Sequence, residues 1–377
     1  MPQTLFESDA SRAAAYEQTR EQVRIVFLTP LMGGADGISE MTRQWVHVVE
    51  SRVGGEVRNV EVWSLDDEQR PSSAGPVSRF KTARGGRVRF ASFAFVHGIA
   101  SAADTIVVVM HLQLLPVALP LIWRGARLVT ILMGIEAWTP LDAAQKAAMR
   151  AGWKTIAISA HTANRFRAAN PAMTDLPITV CPPGVPAMPR PAAALVERPY
   201  ALIVGRMDAR ERYKGHDTLI EVWPSIRRTV ADARLVVVGD GDDAARLRQK
   251  ADETCDGIVF VGRVDESKLA ALYRDAAFFV MPSTEEGFGL VYLEAMRSAI
   301  PCIAAHGAAE EIITDGRDGL IVNAGDRDEL VAAIVHLFVD RQARMRMGAA
   351  AVQRVNAHFD RPALERRVCA ALELGTV

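Results

Sequence analysis

Short apolar runs punctuate this chain from residue 23 onwards. The stretches between several of them carry apolar positions every three to four residues. The runs read as buried strands and the periodic stretches as helices. Strands are predicted at 23–29, 57–64, 105–110, 127–132, 155–159 and 178–181, then at 200–204, 234–239, 258–261, 277–280, 301–304 and 318–322. Helices are predicted at 40–51, 160–170, 290–298, 326–339, 341–358 and 363–374. Both halves therefore alternate strand with helix, the pattern of α/β layers. Residues 186–199 hold four prolines and read as a linker between the halves.

Length agrees with that division, because 377 residues are too many for one comfortable core. Composition is that of an ordinary soluble protein, 49% apolar and 24% charged. A net charge of −1 does not point to nucleic acid. The halves differ, however: residues 1–187 carry 19 Lys and Arg against 16 Asp and Glu, and the remainder is net negative. Between Glu68 and Asp104 every charge is basic: Arg70, Arg79, Lys81, Arg84, Arg87 and Arg89. With Gly75, Pro76, Gly85 and Gly86 this stretch reads as a mobile basic loop, and Phe90, Phe93 and Phe95 follow as apolar anchors. Residues 70–89 are thus the expected contact with anionic lipid or a pyrophosphate-linked acceptor. Cys181, Cys255, Cys302 and Cys369 have no metal or redox spacing, which suits a reduced cytoplasmic setting. The first 22 residues are polar and read as no signal peptide. The apolar stretch 112–123, with Pro116 and Pro120, is too short to span a bilayer. Contact with the inner membrane, if made, is expected to be peripheral.

The richest chemistry lies at 281–296. A buried strand ends at Pro282 and Ser283, Glu286, Gly287 and Gly289 make a tight turn, and a helix follows from Leu290. The first N–H groups of that helix are unpaired and form an anion site, and the glycines admit a close ligand. Glu294 lies among Leu290, Val291, Leu293, Ala295 and Met296, where a carboxylate needs donors. A ribose diol supplies two. Glu286 is placed to accept from the hydroxyls of a second sugar. Diphosphate at the helix end with a sugar on either side describes a nucleotide-sugar, although an ordinary strand–turn–helix with capping or solvated glutamates has the same spacing.

Glu286-Gly-Phe-Gly-Leu-x-x-x-Glu294 resembles the nucleotide-sugar motif of glycosyltransferase family 4. The resemblance implies the retaining GT-B fold, two facing Rossmann-like domains. On that pattern residues 1–187 form the acceptor-side domain, 188–358 the donor domain, and 359–377 pack back on the first. It implies that Arg206 and Lys214, in Gly205-Arg-Met-Asp-Ala-Arg-Glu-Arg-Tyr-Lys-Gly-His-Asp217, hold the donor diphosphate. That suits a planar fork and a point charge opposite a leaving group. It implies that Gly287, Phe288, Gly289 and Leu290 supply backbone to the phosphates, Glu294 binds the ribose and Glu286 the donor sugar. Arg263 is expected near the base, and Gly33 and Gly34 at the phosphates and acceptor. At 133–138 family members often carry a cleft histidine where this chain has Met133. His111, at the carboxyl end of a strand, and Glu136 are the remaining polar candidates there.

Other sites are weaker. Gly-Gly-Ala-Asp-Gly at 33–37 is not the dinucleotide fingerprint, and no P-loop is present. Asp240 and Asp242 read as N-capping aspartates of a strand-to-helix turn rather than metal ligands. The expectation is a retaining, metal-independent hexosyltransferase with no cofactor beyond its nucleoside diphosphate sugar. The Glu-Arg-Tyr-Lys-Gly-His variant at 211–216 resembles polysaccharide mannosyltransferases, so a GDP-mannose-type donor precedes a UDP-sugar. A saccharide or lipid-linked saccharide is the expected acceptor. A GT-B nucleotide-sugar epimerase and a binding protein without catalysis are the alternatives.

Overall fold

The structure is a computed structural model that describes residues 22–34, 36–72, 79–98, 103–186 and 200–375. Most of the proline-rich stretch 186–199, the N-terminal 21 residues, and Gly75 and Pro76 lie outside the described residues.

Two sheets organise the chain, and every strand pair in them is parallel. The first contains β1 (Val23–Thr29), β2 (Val57–Ser64), β3 (Arg79–Thr82), β4 (Thr105–Val109), β5 (Arg127–Leu132), β6 (Lys154–Ala157) and β7 (Ile178–Val180). Their order is β3-β2-β1-β4-β5-β6-β7. The second contains β8 (Ala201–Val204), β9 (Leu235–Val238), β10 (Ile258–Gly262), β11 (Phe278–Met281), β12 (Cys302–Ala305) and β13 (Gly319–Val322), in the order β10-β9-β8-β11-β12-β13. The central strands are unbroken apolar runs because helices cover both faces of a parallel sheet. Ile25 to Leu28, Ile106 to Val109 and Phe278 to Met281 are buried. Each side chain of that size withdrawn fully from water contributes roughly 1.5–3 kcal/mol.

Each sheet reverses direction once. The chain builds outward from β1 to β3 and then returns to lay β4 beside β1. It builds from β8 to β10 and then returns to lay β11 beside β8. Ligands of such sheets bind beyond the carboxyl ends of the strands at the reversal. In this chain those ends lead into Pro30–Gly34 and His111 in the first sheet, and into Gly205–Lys214 and Pro282–Leu290 in the second.

The two halves touch at these ends. The Ser159 hydroxyl donates to the Gly287 carbonyl at 2.7 Å and the Thr162 hydroxyl to the same oxygen at 3.1 Å. Glu311 accepts from the Ala160 and His161 amides at 2.8 and 2.7 Å, capping a helix of the other half. Ser159 also accepts from the Thr162 amide, the N-cap its residue type predicts. At the C-terminus, the helix Arg361–Leu372 lies against Gly37–Glu50 of the first half. Around it, Gly184 packs on Leu364, Val185 N–H donates to the Phe359 carbonyl at 2.7 Å and Gly375 N–H to Glu56 at 2.6 Å.

The basic stretch is not a loop throughout. Residues 79–82 are the edge strand β3, and Arg87–Gly98 is a helix. β3 pairs with β2 so that Arg79 lies beside Glu61. The buried Glu61 side chain then draws Arg24, Arg79 and Lys81. The missing counter-charge was inside a strand. Phe90 lies on the buried side of that helix and Phe93 is half-buried, so of the three phenylalanines Phe95 alone is exposed.

Candidate active site

At the end of β8 the chain turns through Gly205 into Arg206 and closes on the helix His216–Thr229. Gly215, with φ 86°, makes that closure: a Cβ there would meet Pro282 at 2.7 Å. Thr284 N–H donates to the Tyr213 carbonyl at 3.0 Å, so the loop after β8 is fastened to the loop after β11. This brings Arg206, Lys214 and Glu286 into one electrostatic cluster. Burial pushes the Glu286 carboxyl above its usual range, while Lys214 and Arg206 pull it back. Ser283 donates to Glu286 at 3.2 Å.

Two members of this cluster were not foreseen. Glu211 pairs with both cations, with Arg206 through Oε1 and with Lys214 through Oε2 at 2.7 Å. Tyr213 stands close enough to Glu211 and Glu286 that burial and both carboxylates raise its phenol well above the ordinary value. Glu211 stands three residues before Lys214, the spacing of helical ion pairs, and that was its signal.

The turn after β11 is locked from within. Gly289, at φ 98°, leaves no room for a Cβ, which would meet the Tyr292 ring at 2.5 Å. Tyr292 in turn donates to the Met281 carbonyl at 2.7 Å. The helix Leu290–Arg297 begins at that glycine without a side-chain cap. On it Glu294 accepts one hydrogen bond, from the Tyr273 hydroxyl at 2.8 Å. Burial pushes the Glu294 carboxyl up to about 7, against the pull of that bond, and Glu40 of the first half pushes it further. One phenol leaves most of a carboxylate's acceptor capacity unused.

The first sheet's end is satisfied differently. Asp67 accepts from Met32 N–H at 2.7 Å, Gly33 N–H at 3.0 Å and the Ser64 hydroxyl at 2.6 Å. The Gly33 amide is therefore engaged within its own loop. Gly34 is held small by Asp36 and Ser39, which a Cβ would meet at 2.4 and 2.6 Å. Asp36 caps the helix Gly37–Glu50 through the Ile38 and Ser39 amides. That helix start reaches the donor turn: the Cβ position of Gly37 is 3.9 Å from Leu290 Cδ1. Glu136 accepts from the Met133 amide at 2.6 Å and also from the Gly134 amide. It pins a turn and is spent on backbone. Met133 is buried, and its carbonyl and Gly134 abut Gly287, where a Cβ would meet either at 2.8 Å. Gly287 is thus required by the other half as well as by any ligand.

The remaining predicted residues scatter. His111 follows β4 and accepts through Nδ1 from the Gln113 amide at 3.2 Å, and burial lowers its pKa below the usual imidazole value. The Phe288 side chain is buried against Phe359, so only its backbone faces the turn. Arg263 is exposed beyond β10, two strands and roughly 10 Å of sheet from β8. Asp242 accepts from Ala209 N–H at 2.7 Å and Asp240 from Gly241 N–H at 3.0 Å. Neither caps the following helix, which starts at Asp243, itself paired with Arg212 and Arg246. The expected N-capping role is corrected accordingly.

Comparison with known proteins places this architecture. Residues 198–340 match the family model "Glycosyl transferases group 1". The GDP-mannose-dependent alpha-(1-6)-phosphatidylinositol monomannoside mannosyltransferase of Mycobacterium tuberculosis is 34% identical over 59% of this chain and 63% of its own. The sulfoquinovosyl transferase SQD2 of Arabidopsis thaliana is 32% identical over 41% of this chain and 29% of its own. The matches thus span less than two thirds of these curated relatives. Among solved structures, Anabaena Alr3699/HepE in complex with UDP and glucose superposes with a TM-score of 0.73 at 17% identity, covering 93% of this chain and 100% of that one. Sucrose-phosphate synthase from Thermosynechococcus elongatus gives 0.70 at 20% identity, covering 93% and 98%. The fold is GT-B, as in these solved structures, and residues 198–340 carry the match to the group 1 glycosyl transferases, the family that the motif at 286–294 resembles.

Proposed function

We propose that this chain is a retaining, metal-independent glycosyltransferase that moves a hexose from a nucleoside diphosphate sugar to a saccharide or lipid-linked acceptor. One observation carries the reading. The end of the second sheet gathers two cations, a desolvated carboxylate and a helix start, with Glu294 nearby short of donors. A diphosphate answers the cations and the uncapped amides at Leu290. A ribose diol answers Glu294, and sugar hydroxyls answer Glu286. As the anomeric carbon–oxygen bond breaks, Arg206 and Lys214 offset the charge gathering on the leaving phosphate. The acceptor oxygen attacks the same face of the sugar and its proton passes to the leaving phosphate oxygen, so no protein nucleophile is needed. His111, at the end of β4, is placed on the acceptor side in this reading.

GDP-mannose is the first donor in this reading, supported by likeness to a GDP-mannose-dependent enzyme, with a UDP-hexose second. The same likeness supports a phosphoinositide-type lipid acceptor. Among the described residues no helix is long and apolar enough to cross a membrane. The helix Arg87–Gly98 exposes Val88, Phe95 and Val96 beside Arg84, Arg87 and Arg89, which supports peripheral contact with an anionic membrane. Residues 1–187 and 188–358 act as the two domains, with 359–377 returning to the first.

The test is transfer. The protein is incubated with GDP-mannose and a phosphatidylinositol mannoside in EDTA, and the product's anomeric configuration is read by NMR. An α-linked mannoside is expected. Free mannose epimers, or no product with any nucleotide-sugar it binds, would defeat the reading.

A further inference from the structure

Among the described residues, Glu211 is the one carboxylate that forms ion pairs with both cations of the donor loop. Its oxygens are divided, one to Arg206 Nη2 and the other to Lys214 Nζ at 2.7 Å. Its side chain is 13% exposed and that of Lys214 14%, so this is a partly desolvated arrangement, screened less than a surface pair. The Arg206 end is more open, at 57%, and Asp208 stands 3.9 Å from it. Among the described residues the Glu211 side chain is held by these two cations and by no other donor. Its backbone is held instead, since Glu211 N–H donates to the Asp208 carbonyl at 2.8 Å and its carbonyl accepts from Lys214 N–H at 3.1 Å. A fixed backbone with a side chain bound only by ions can swing.

A second carboxylate, Glu286, already draws on the same two cations. Adding a diphosphate while Glu211 stays in place would set four negative charges against two positive ones. Mutual repulsion at these separations exceeds what two partly solvated cations repay.

We propose that Glu211 is an internal stand-in for the diphosphate. It holds Arg206 and Lys214 in their working positions when no anion is bound, yields them when an anion arrives, and reclaims them as the nucleoside diphosphate leaves. It is a competing carboxylate that tunes affinity and release, and it touches no reacting atom. The inference rests on the donor reading for its biological meaning, but its physical core is anion competition and needs only an anion.

Inorganic pyrophosphate is therefore the probe. Calorimetric titration of wild type and Glu211→Gln with pyrophosphate should show the variant binding roughly tenfold more tightly, the scale of one partly buried ion pair. Melting temperature is followed in parallel, because a merely structural role would loosen the loop and weaken binding. Lys214→Met in the Glu211→Gln background should remove the gain. If Glu211→Gln does not fold, Glu211→Asp replaces it, since the shorter side chain cannot span both cations and should show the same sign. Equal or weaker pyrophosphate binding in the folded variant, or no binding by either protein, would overturn the proposal. Tighter pyrophosphate binding with no binding of GDP-mannose or UDP-glucose would leave the proposal standing and defeat the donor reading.

Discussion

The two sheet reversals are built alike and finished differently. Beyond the first, carboxylates are spent on the protein's own backbone: Asp67 on Met32 and Gly33, Asp36 on Ile38 and Ser39, Glu136 on Met133. Beyond the second, Glu286 and Glu294 are desolvated and given one hydroxyl each, and among the described residues the cations form ion pairs with Glu211 and Asp208. A carboxylate wrapped in amides shapes a loop. A carboxylate left short of donors in a dry place is stable only if something is gained there, and perturbed groups of this kind gather at functional sites. On the proposed reading, the first reversal does scaffold work and the second ligand work.

That contrast can be broken by substitution. Lys214→Met should cost most, lowering kcat by about 10²–10³ as charge on the leaving group goes uncompensated. Release of nucleoside diphosphate in steady-state assays measures it. Glu294→Gln should weaken donor binding by roughly ten- to a hundredfold, the cost of hydrogen bonds to a charged group. On the scaffold side, Asp67→Asn should leave donor affinity unchanged and lower stability by about 1–3 kcal/mol, read by urea unfolding. A donor-affinity loss in Asp67→Asn as large as that of Glu294→Gln would erase the distinction.

Acidity sharpens it further. Glu294 is raised from 4.5 to about 7 in the folded protein. Between those values the folded state keeps a proton that the unfolded chain has lost. Stability should therefore fall as pH rises from 4.5 to about 7 and then level off, by on the order of 3 kcal/mol. Glu294→Gln should remove that slope. A ribose diol stabilises the ionised form, so donor binding should release a proton near pH 6.5 and tighten towards pH 8, in wild type but not in Glu294→Gln. Calorimetry in buffers of different ionisation enthalpy counts that proton.

Much of this was legible in the chain. The strands at 57–64 and 127–132 and the helix at 341–358 stand where their apolar patterns put them. Arg206, Lys214 and Glu286 could be grouped through the family resemblance, and the structure sets their loops beyond the adjacent strands β8 and β11. What escaped depends on pairing between distant segments. β3 is a polar edge strand with no pattern of its own, and its partner Glu61 lies inside an apolar run. The engagement of Gly33 by Asp67, 34 residues on, has no local mark. Gly287 seemed a ligand glycine, yet it also lets Gly134 of the other half approach.

The central claim is that the second reversal binds a nucleoside diphosphate sugar. Calorimetric titration with GDP-mannose, UDP-glucose and ADP-glucose in EDTA, for wild type, Arg206→Met and Asp67→Asn, tests it most directly. The account predicts saturable binding of one base family, unaffected by EDTA, lost in Arg206→Met and retained in Asp67→Asn. Binding that survives Arg206→Met, or no binding of any of the three by the folded wild type, would contradict it.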